Sequence, residues 1–345
     1  MNDIKNTDCL IRTENISKFF EQKTGLFNSK KEIVRAVENI NIHILKGETV
    51  GLVGESGCGK TTLGRTILRL IDPTNGNIFF DGNNITSISG KELRKLRRNM
   101  QIIFQDPYSS LNPRFKVKHI IAEGLYNFKN ELKLDNISID KIVSEILEKT
   151  GLSKDASTKY PHQFSGGQRQ RIGIGRAIAL NPKFIVCDEP LSALDVSIKS
   201  QILNLLHELK KEYKLSYLFI SHDLKITASI SDRIYIMYLG RIIEELPSSQ
   251  LFKNPFHPYT KALISAVPEI DSDKRRKRIL LEGDVPSPVS IPSGCPFHPR
   301  CLKAMEICKS KTPKYLKKGD NHFVACWLYD QNSDSRHKTQ DSSKS

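Results

Sequence analysis

Apolar residues in this chain come in short runs separated by polar turns, and the type of run changes along its length. Val50, Leu52 and Val53 read as a buried strand, a glycine-rich turn follows, and Thr61 to Leu70 reads as a helix. Up to residue 105 the pattern is otherwise β-rich, with Asp72-Pro73-Thr74-Asn75-Gly76 forming a turn before a short strand at Asn77 to Phe80. Residues 115–180 are mostly helical; Lys141 to Lys149 is an amphipathic example and Gln168 to Leu180 another helix. Strand and helix then alternate. Phe184-Ile185-Val186-Cys187 is an apolar strand, and Val196 to Tyr213 places Ile198, Ile202, Leu205 and Leu209 on one helical face. Strands near Tyr217 to Ile220 and Ile234 to Met237 flank the next helix. Such alternation predicts an α/β fold on a mainly parallel sheet with crossover helices. From Gln331 onward the chain is rich in Ser, Asp and Lys, buries too little apolar surface to fold, and is expected to be a disordered tail over 331–345.

The glycine-rich turn, Gly54-Glu55-Ser56-Gly57-Cys58-Gly59-Lys60-Thr61 with Thr62 behind it, fits the phosphate-cradling pattern G-x-x-x-x-G-K-[ST]. Glycine lets the backbone aim several N–H groups at phosphate oxygens, and the helix start adds a partial positive charge. Lys60 is expected on the β- and γ-phosphates of ATP, and the Thr61 hydroxyl on Mg²⁺. Cys58 is bland for catalysis, but its place near a helix N-terminus predicts a lowered thiol pKa. The strand ending in Asp188-Glu189 sets two carboxylates at the carboxyl edge of the sheet, where ligands bind. Asp188 is expected to hold Mg²⁺ through a water, and Glu189 to orient and deprotonate the attacking water. Taken alone, the two acids also read as caps of the next element.

Other motifs stand in order around these. Gln105 follows Ile102-Ile103-Phe104, Phe164-Ser165-Gly166-Gly167-Gln168 opens a helix, Ser192-Ala193-Leu194-Asp195 follows the acids, and His222 follows Leu218-Phe219-Ile220. On these residues the chain resembles the ABC ATPase family from about residue 10 to 330. The resemblance implies a P-loop NTPase core over 10–250, with an antiparallel β subdomain and a helical signature subdomain at about 115–180. It assigns Gln105 to the Q-loop and to Mg²⁺, Asp195 to the D-loop and His222 to the switch, so that Lys60, Gln105, Glu189 and His222 form the catalytic set. It also implies a site shared between two chains, in which Ser165, Gly166, Gly167 and Gln168 serve the nucleotide held by a partner. A serine hydroxyl, glycine N–H groups and a helix start suit that task. Phe164 stands where leucine is commonest in the family. Phe20 is the aromatic assigned to stack on adenine, with Phe19 as its rival and plain core packing open for either.

The C-terminal region narrows the resemblance. Asn254-Pro255-Phe256-His257-Pro258-Tyr259-Thr260-Lys261-Ala262-Leu263 is similar to the His-Pro-Tyr segment of oligopeptide and dipeptide importer ATPases, and the run Gln105 to Arg114 points the same way. The insertion Thr24 to Lys31 and the Cys58-containing loop resemble the F-type subunit rather than its D-type partner. Residues 251–330 are thus expected to form an extension of the peptide-transporter type. His257 itself reads equally as a turn residue between prolines. Cys295, Cys301, Cys308 and Cys326 crowd together with the spacing C-x5-C-x6-C-x17-C, whereas Cys9, Cys58 and Cys187 are scattered. Clustered thiols in a reducing compartment favour metal over disulfide. The resemblance to peptide-importer ATPases implies a [4Fe-4S] cluster on these four, with zinc or four free thiols as alternatives.

Composition adds a boundary. The 345 residues carry a formal charge of +15, yet the clusters Lys91 to Arg98 and Lys274 to Arg278 lack the aromatic interleaving of a nucleic-acid platform. They read as solvated faces and a linker suited to anionic headgroups, and no nucleic-acid partner is expected. No apolar stretch reaches the length of a membrane helix, and the start Met1 to Lys5 is not a signal peptide. The resemblance then implies an ATP-hydrolysing importer subunit peripheral to the cytoplasmic side of the cell membrane. Its partners would be a D-type ATPase, two permeases and an extracytoplasmic peptide-binding protein. A related nickel or glutathione importer is the nearer alternative, and a soluble ABC ATPase working on ribosomes or DNA the farther one.

Overall fold

The computed structural model describes residues 8–24, 30–268 and 278–330. Most of the insertion between Thr24 and Lys31, most of the basic run Lys274 to Arg278 and the tail from Gln331 lie outside the described residues.

Long polar-apolar alternation near the start folds into a hairpin of β1 (Cys9–Thr24) and β2 (Lys30–Ile40), with β3 (His43–Leu45) also paired to β1. β4 (Thr49–Val53) crosses to a second sheet, and α1 (Lys60–Ile67) follows it. β5 (Asn75–Phe80) and β6 (Asn83–Asn84) return to complete an antiparallel sheet ordered β2-β1-β5-β6. α1 stops short of the expected Leu70, because Arg69 takes a left-handed backbone at φ 53° and breaks the ladder.

α2 (Gly90–Arg97) leads to β7 (Met100–Ile103), and then the helical segment begins. It contains α3 (Val117–Asn127), the short α4 (Lys129–Leu132), α5 (Asn136–Lys149) and α6 (Gly166–Ile178). Ile120, Ile121, Ile139, Val143, Ile146 and Ile172 interdigitate in its core. β8 (Phe184–Asp188), α7 (Val196–Tyr213), β9 (Ser216–Ser221), α8 (Leu224–Ile230) and β10 (Arg233–Tyr238) supply the alternating units. Every residue of β4, β8, β9 and β10 is buried, as expected of strands covered on both faces.

β11 (Arg241–Pro247) turns back along β10. After α9 (Pro258–Ser265) and α10 (Glu306–Ser310), the hairpin β12 (Tyr315–Gly319) and β13 (His322–Ala325) pairs onto β11. The second sheet is therefore ordered β12-β13-β11-β10-β4-β9-β8-β7, parallel from β10 to β7 and antiparallel beyond. The C-terminal region does not stand apart from the large sheet; it supplies that sheet's last two strands.

A buried polar hub fastens it there. The Glu244 carboxylate on β11 is fully buried; it accepts from the Phe256 and His257 N–H groups and sits 2.8 Å from His322 Nε2. His257 is the N-cap of α9, its Nδ1 accepting the Tyr259 N–H at 3.1 Å, and burial lowers its pKa to about 4. The turn reading of this residue is thereby made specific: His257 is a helix cap.

Candidate active site

β4 lies in the middle of the large sheet, so the loop from Gly54 to Gly59 leaves its carboxyl end at the centre of the molecule. Two glycines are required sterically. A Cβ on Gly54 would stand 2.2 Å from the Met237 carbonyl, and one on Gly59, at φ 105°, would stand 2.0 Å from the Ala36 carbonyl. Gly57 also adopts a positive φ of 78° but faces open space. The loop curls around its own lysine: Lys60 Nζ donates to the Gly54 and Glu55 carbonyls at 2.8 and 2.9 Å. Ser56 and Gly57 are exposed, and Thr61 and Thr62 half-buried behind them.

Cys58 departs from expectation. It is buried, and desolvation raises its pKa, outweighing the nearby Lys60 ammonium. The Lys60 ammonium lies 3.9 Å from the Cys58 sulfur, but neither it nor the helix start offsets the cost of charging a thiol away from water.

The Thr61 hydroxyl donates to Asp188 Oδ1 at 2.8 Å, uniting the loop with the end of β8. Burial pushes the Asp188 carboxyl up, opposed by the Thr61 hydrogen bond and the charges of Arg65 and Lys60. Next to it, Glu189 adopts a left-handed backbone at φ 45°, an uncommon conformation for a non-glycine residue. Its Oε2 accepts from Gln105 Nε2 at 3.1 Å and lies 3.2 Å from His222 Nδ1. Three side chains from three strand ends thus meet at one oxygen. Gln105 spends its amide on Glu189 here rather than on the Thr61–Asp188 pair where it was expected to join Mg²⁺.

Phe20 is exposed, with the Lys18 ammonium 5.0 Å from its ring, while Phe19 is half-buried and lies 5.8 Å from the Arg35 guanidinium. The two alternate across β1, so one strand cannot present both to the same base.

The signature loop is built differently. Ser165 and Gln168 form a reciprocal capping box at the start of α6, the Ser165 hydroxyl accepting the Gln168 N–H at 3.3 Å and the Gln168 side chain accepting the Ser165 N–H at 3.0 Å. Ser165 and Gln168 are exposed, Gly166 half-buried and Gly167 buried under Ile198. Asp195, exposed, begins α7 close by. Among the described residues, no hydrogen bond or ion pair joins Ser165, Gly166, Gly167, Gln168 or Asp195 to the Gly54–Thr61 loop. α6 instead grips the stretch after Gln105: Arg169 stacks 3.6 Å over Tyr108, and Arg176 donates to the Ser110 carbonyl at 2.7 Å.

The four C-terminal cysteines share one corner, where the Cys295 N–H donates to the Cys308 carbonyl at 2.8 Å and Cys326 feels the charge of the other three thiols. Burial pushes Cys295 up to about 11 and Cys326 up to about 12. Among the described residues no three His, Cys, Asp or Glu side chains are arranged to hold a metal ion. The iron-sulfur or zinc group expected on Cys295, Cys301, Cys308 and Cys326 gains no support from this arrangement.

Sequence reasoning missed the anchors of the loop. The Glu55 N–H donates to the Tyr259 hydroxyl, and the Glu55 carboxylate pairs with Arg300, each at 2.9 Å. The only available signal was Tyr259 inside the His-Pro-Tyr segment.

Loop, acids, glutamine and histidine at one sheet edge, with the helical segment beside them, define an ATPase of the ABC class. The ABC transporter family matches residues 37–192, and the family "Oligopeptide/dipeptide transporter, C-terminal region" matches residues 243–308. The oligopeptide transport ATP-binding protein AppF of Bacillus subtilis is 47% identical over 94% of this chain and 98% of its own length. The putative oligopeptide transport ATP-binding protein YkfD of the same organism is 50% identical, covering 90% of this chain and 94% of its own. Among solved structures, a dimeric ATP-binding cassette in a post-hydrolysis state bound to ADP and Pi superposes with TM-score 0.61 at 30% identity, covering 69% of this chain and 99% of that one. The cbiO1 protein of Clostridium perfringens, part of an ABC transporter complex, gives 0.60 at 29%, covering 72% and 92%.

The chain belongs to the family of oligopeptide/dipeptide ABC transporter ATP-binding subunits. It is an ATP-hydrolysing transporter subunit, of a class that dimerises and works with membrane permeases. Among the described residues no helix is long and apolar enough to cross a membrane.

Proposed function

We propose that this chain powers peptide import from the cytoplasmic face of the cell membrane, as one half of a heterodimer with a D-type ATPase. Two permeases and an extracytoplasmic peptide-binding protein complete the machine. The observation that carries the reading is the meeting of Gln105 and His222 on Glu189 Oε2, one residue beyond the Thr61–Asp188 bond. The relatives' names support peptide as the cargo.

In this reading ATP lies with its phosphates on the N–H groups from Gly57 to Thr62, and Lys60 leaves the Gly54 and Glu55 carbonyls for the β- and γ-phosphates. Thr61 and Asp188 are the residues that would hold Mg²⁺, which supplies charge neutralisation to the phosphates. Glu189 orients a water in line with the γ-phosphorus and takes its proton as the new O–P bond forms and the bond to ADP breaks. His222 and Gln105 fix the carboxylate that does this. Phe20 is the residue proposed for the adenine. Ser165, Gln168 and Asp195 are exposed and, with the backbone of Gly166 and Gly167, complete the partner's site. Because Arg169 and Arg176 tie the stretch after Gln105 to α6, closure of the dimer moves that stretch with the signature loop and passes the motion to the permeases. A metal group on the four cysteines forms no part of this reading.

The test is uptake of a labelled short peptide and of labelled nickel, side by side, in cells carrying Lys60→Ala. Loss of peptide uptake alone is expected. Loss of nickel uptake alone moves the cargo, and no change in either overturns the transport role.

A further inference from the structure

Glu55 is gripped at three atoms. Its N–H donates to the Tyr259 hydroxyl, its carboxylate takes Arg300, and its carbonyl receives Lys60 Nζ, each at 2.9 Å. The first two partners lie 204 and 245 residues away in sequence, in the C-terminal region. Tyr259 is fully buried on α9, its ring 4.8 Å from Tyr238 and 5.4 Å from Phe297. Arg300 ends the short turn His298–Arg300, with its side chain 10% exposed and against the Tyr238 hydroxyl.

A prop that merely filled space would need no polar atoms, since Tyr238, Tyr259 and Phe297 already pack there. Instead one neutral acceptor takes the N–H and one cation takes the carboxylate, so Glu55 is fixed in both position and rotation. That matters for the phosphates. The Glu55 carbonyl holds the ammonium that the phosphates must take over, and the next turns of backbone carry the N–H groups that bind them.

We propose that Tyr259 and Arg300 are positioning residues for ATP: by fixing Glu55 they preorganise the nucleotide loop and set its affinity from the C-terminal region. The inference rests on the reading of Gly54–Thr61 as the nucleotide site. Without the two anchors the loop must be ordered at the moment of binding, and that cost appears in affinity. Once ATP is bound, Glu189, Gln105 and His222 stand unchanged, so turnover at saturation is retained.

The experiment measures KM and kcat of the purified transporter complex, together with calorimetric binding of Mg-ATP and melting of the full chain. Tyr259→Phe, which keeps the ring, is expected to raise KM about 3- to 10-fold, the effect of one hydrogen bond, with kcat within about twofold. Arg300→Gln should raise KM about 10-fold, because its bond is charge-assisted, and Arg300→Lys should recover part of that. Glu55→Gln combined with Arg300→Gln should be no worse than Arg300→Gln alone, since both remove one interaction. Unchanged KM in Tyr259→Phe and Arg300→Gln, with Lys60→Ala abolishing Mg-ATP binding, overturns the inference and leaves the site intact. A fall of kcat and melting temperature together at constant KM overturns it too, because lost folded protein lowers kcat and not KM. Normal Mg-ATP binding by Lys60→Ala overturns the site and the inference with it. Should Arg300→Gln fail to fold, Tyr259→Phe decides.

Discussion

The two glycine-rich loops of this protein are finished to different degrees. The Gly54–Thr61 loop is closed around Lys60, backed by Met237 and Ala36, and anchored by Tyr259 and Arg300. The Ser165–Gln168 loop satisfies only its own helix start and turns its serine and glutamine to solvent. One loop is closed and anchored; the other stands open, as the proposal that it clamps a partner's nucleotide requires. In the proposed reading a single copy binds nucleotide, whereas hydrolysis needs the partner's clamp.

The comparison can be strained at several points. The largest effect is expected from Glu189→Gln, which keeps the shape but removes the base. ATPase turnover of the complex should fall about 10²- to 10⁴-fold with Mg-ATP binding retained. Near-normal turnover would remove Glu189 from the base role. Next comes Gly166→Asp. A Cβ there meets only the Leu194 side chain at 3.7 Å, so the chain should fold and bind Mg-ATP normally. The carboxylate then faces the partner's phosphates, and turnover should fall about 10²-fold or more. Weakened nucleotide binding by the lone chain would place the signature loop on its own site instead.

Gly54→Ala makes the opposite test. With a Cβ 2.2 Å from backbone oxygen, it should cost about 1–3 kcal/mol in a denaturant titration, where Gly166→Ala costs almost nothing. Equal effects would erase the distinction between a built loop and a presented one.

The smallest effect probes the attachment of the C-terminal region. His257 is held neutral, its pKa lowered from 6.5 to about 4, so the unfolded chain takes up the proton first. The stability contributed by the neutral ring is complete above pH 6.5 and is lost as pH falls toward 4. His257→Asn retains a capping acceptor and does not titrate, so its loss of stability from pH 7 to 5.5 should be smaller than the parent's by about 1 kcal/mol. His43, whose pKa burial lowers to about 3, acts in the same direction in both proteins and cancels in the difference. Parallel pH profiles would show that His257 does not change protonation on unfolding in this range.

Much of this was readable in one dimension. The strands at Phe184 and Tyr217 and the helix Val196–Tyr213 follow directly from hydrophobic period, and the nucleotide loop from its glycines and lysine. The Cys58 thiol was misjudged because position near a helix start says nothing about burial, which decided its pKa. Clustering in sequence does put the four C-terminal cysteines in one corner, but among the described residues no three side chains there are arranged to hold a metal ion, so the expected group stands without support.

By itself the sequence determined the class of chemistry and the order of strand and helix, because phosphate binding and regular backbone depend on local residue types and spacing. Only the tertiary structure decided that the C-terminal hairpin continues the central sheet and that Tyr259 and Arg300 hold the nucleotide loop. It also brought Gln105, Glu189 and His222 to one oxygen. Hydrogen bonds between groups 33 to 245 residues apart leave no periodic trace along the chain, so they exist only once the sheet has set the strand ends side by side.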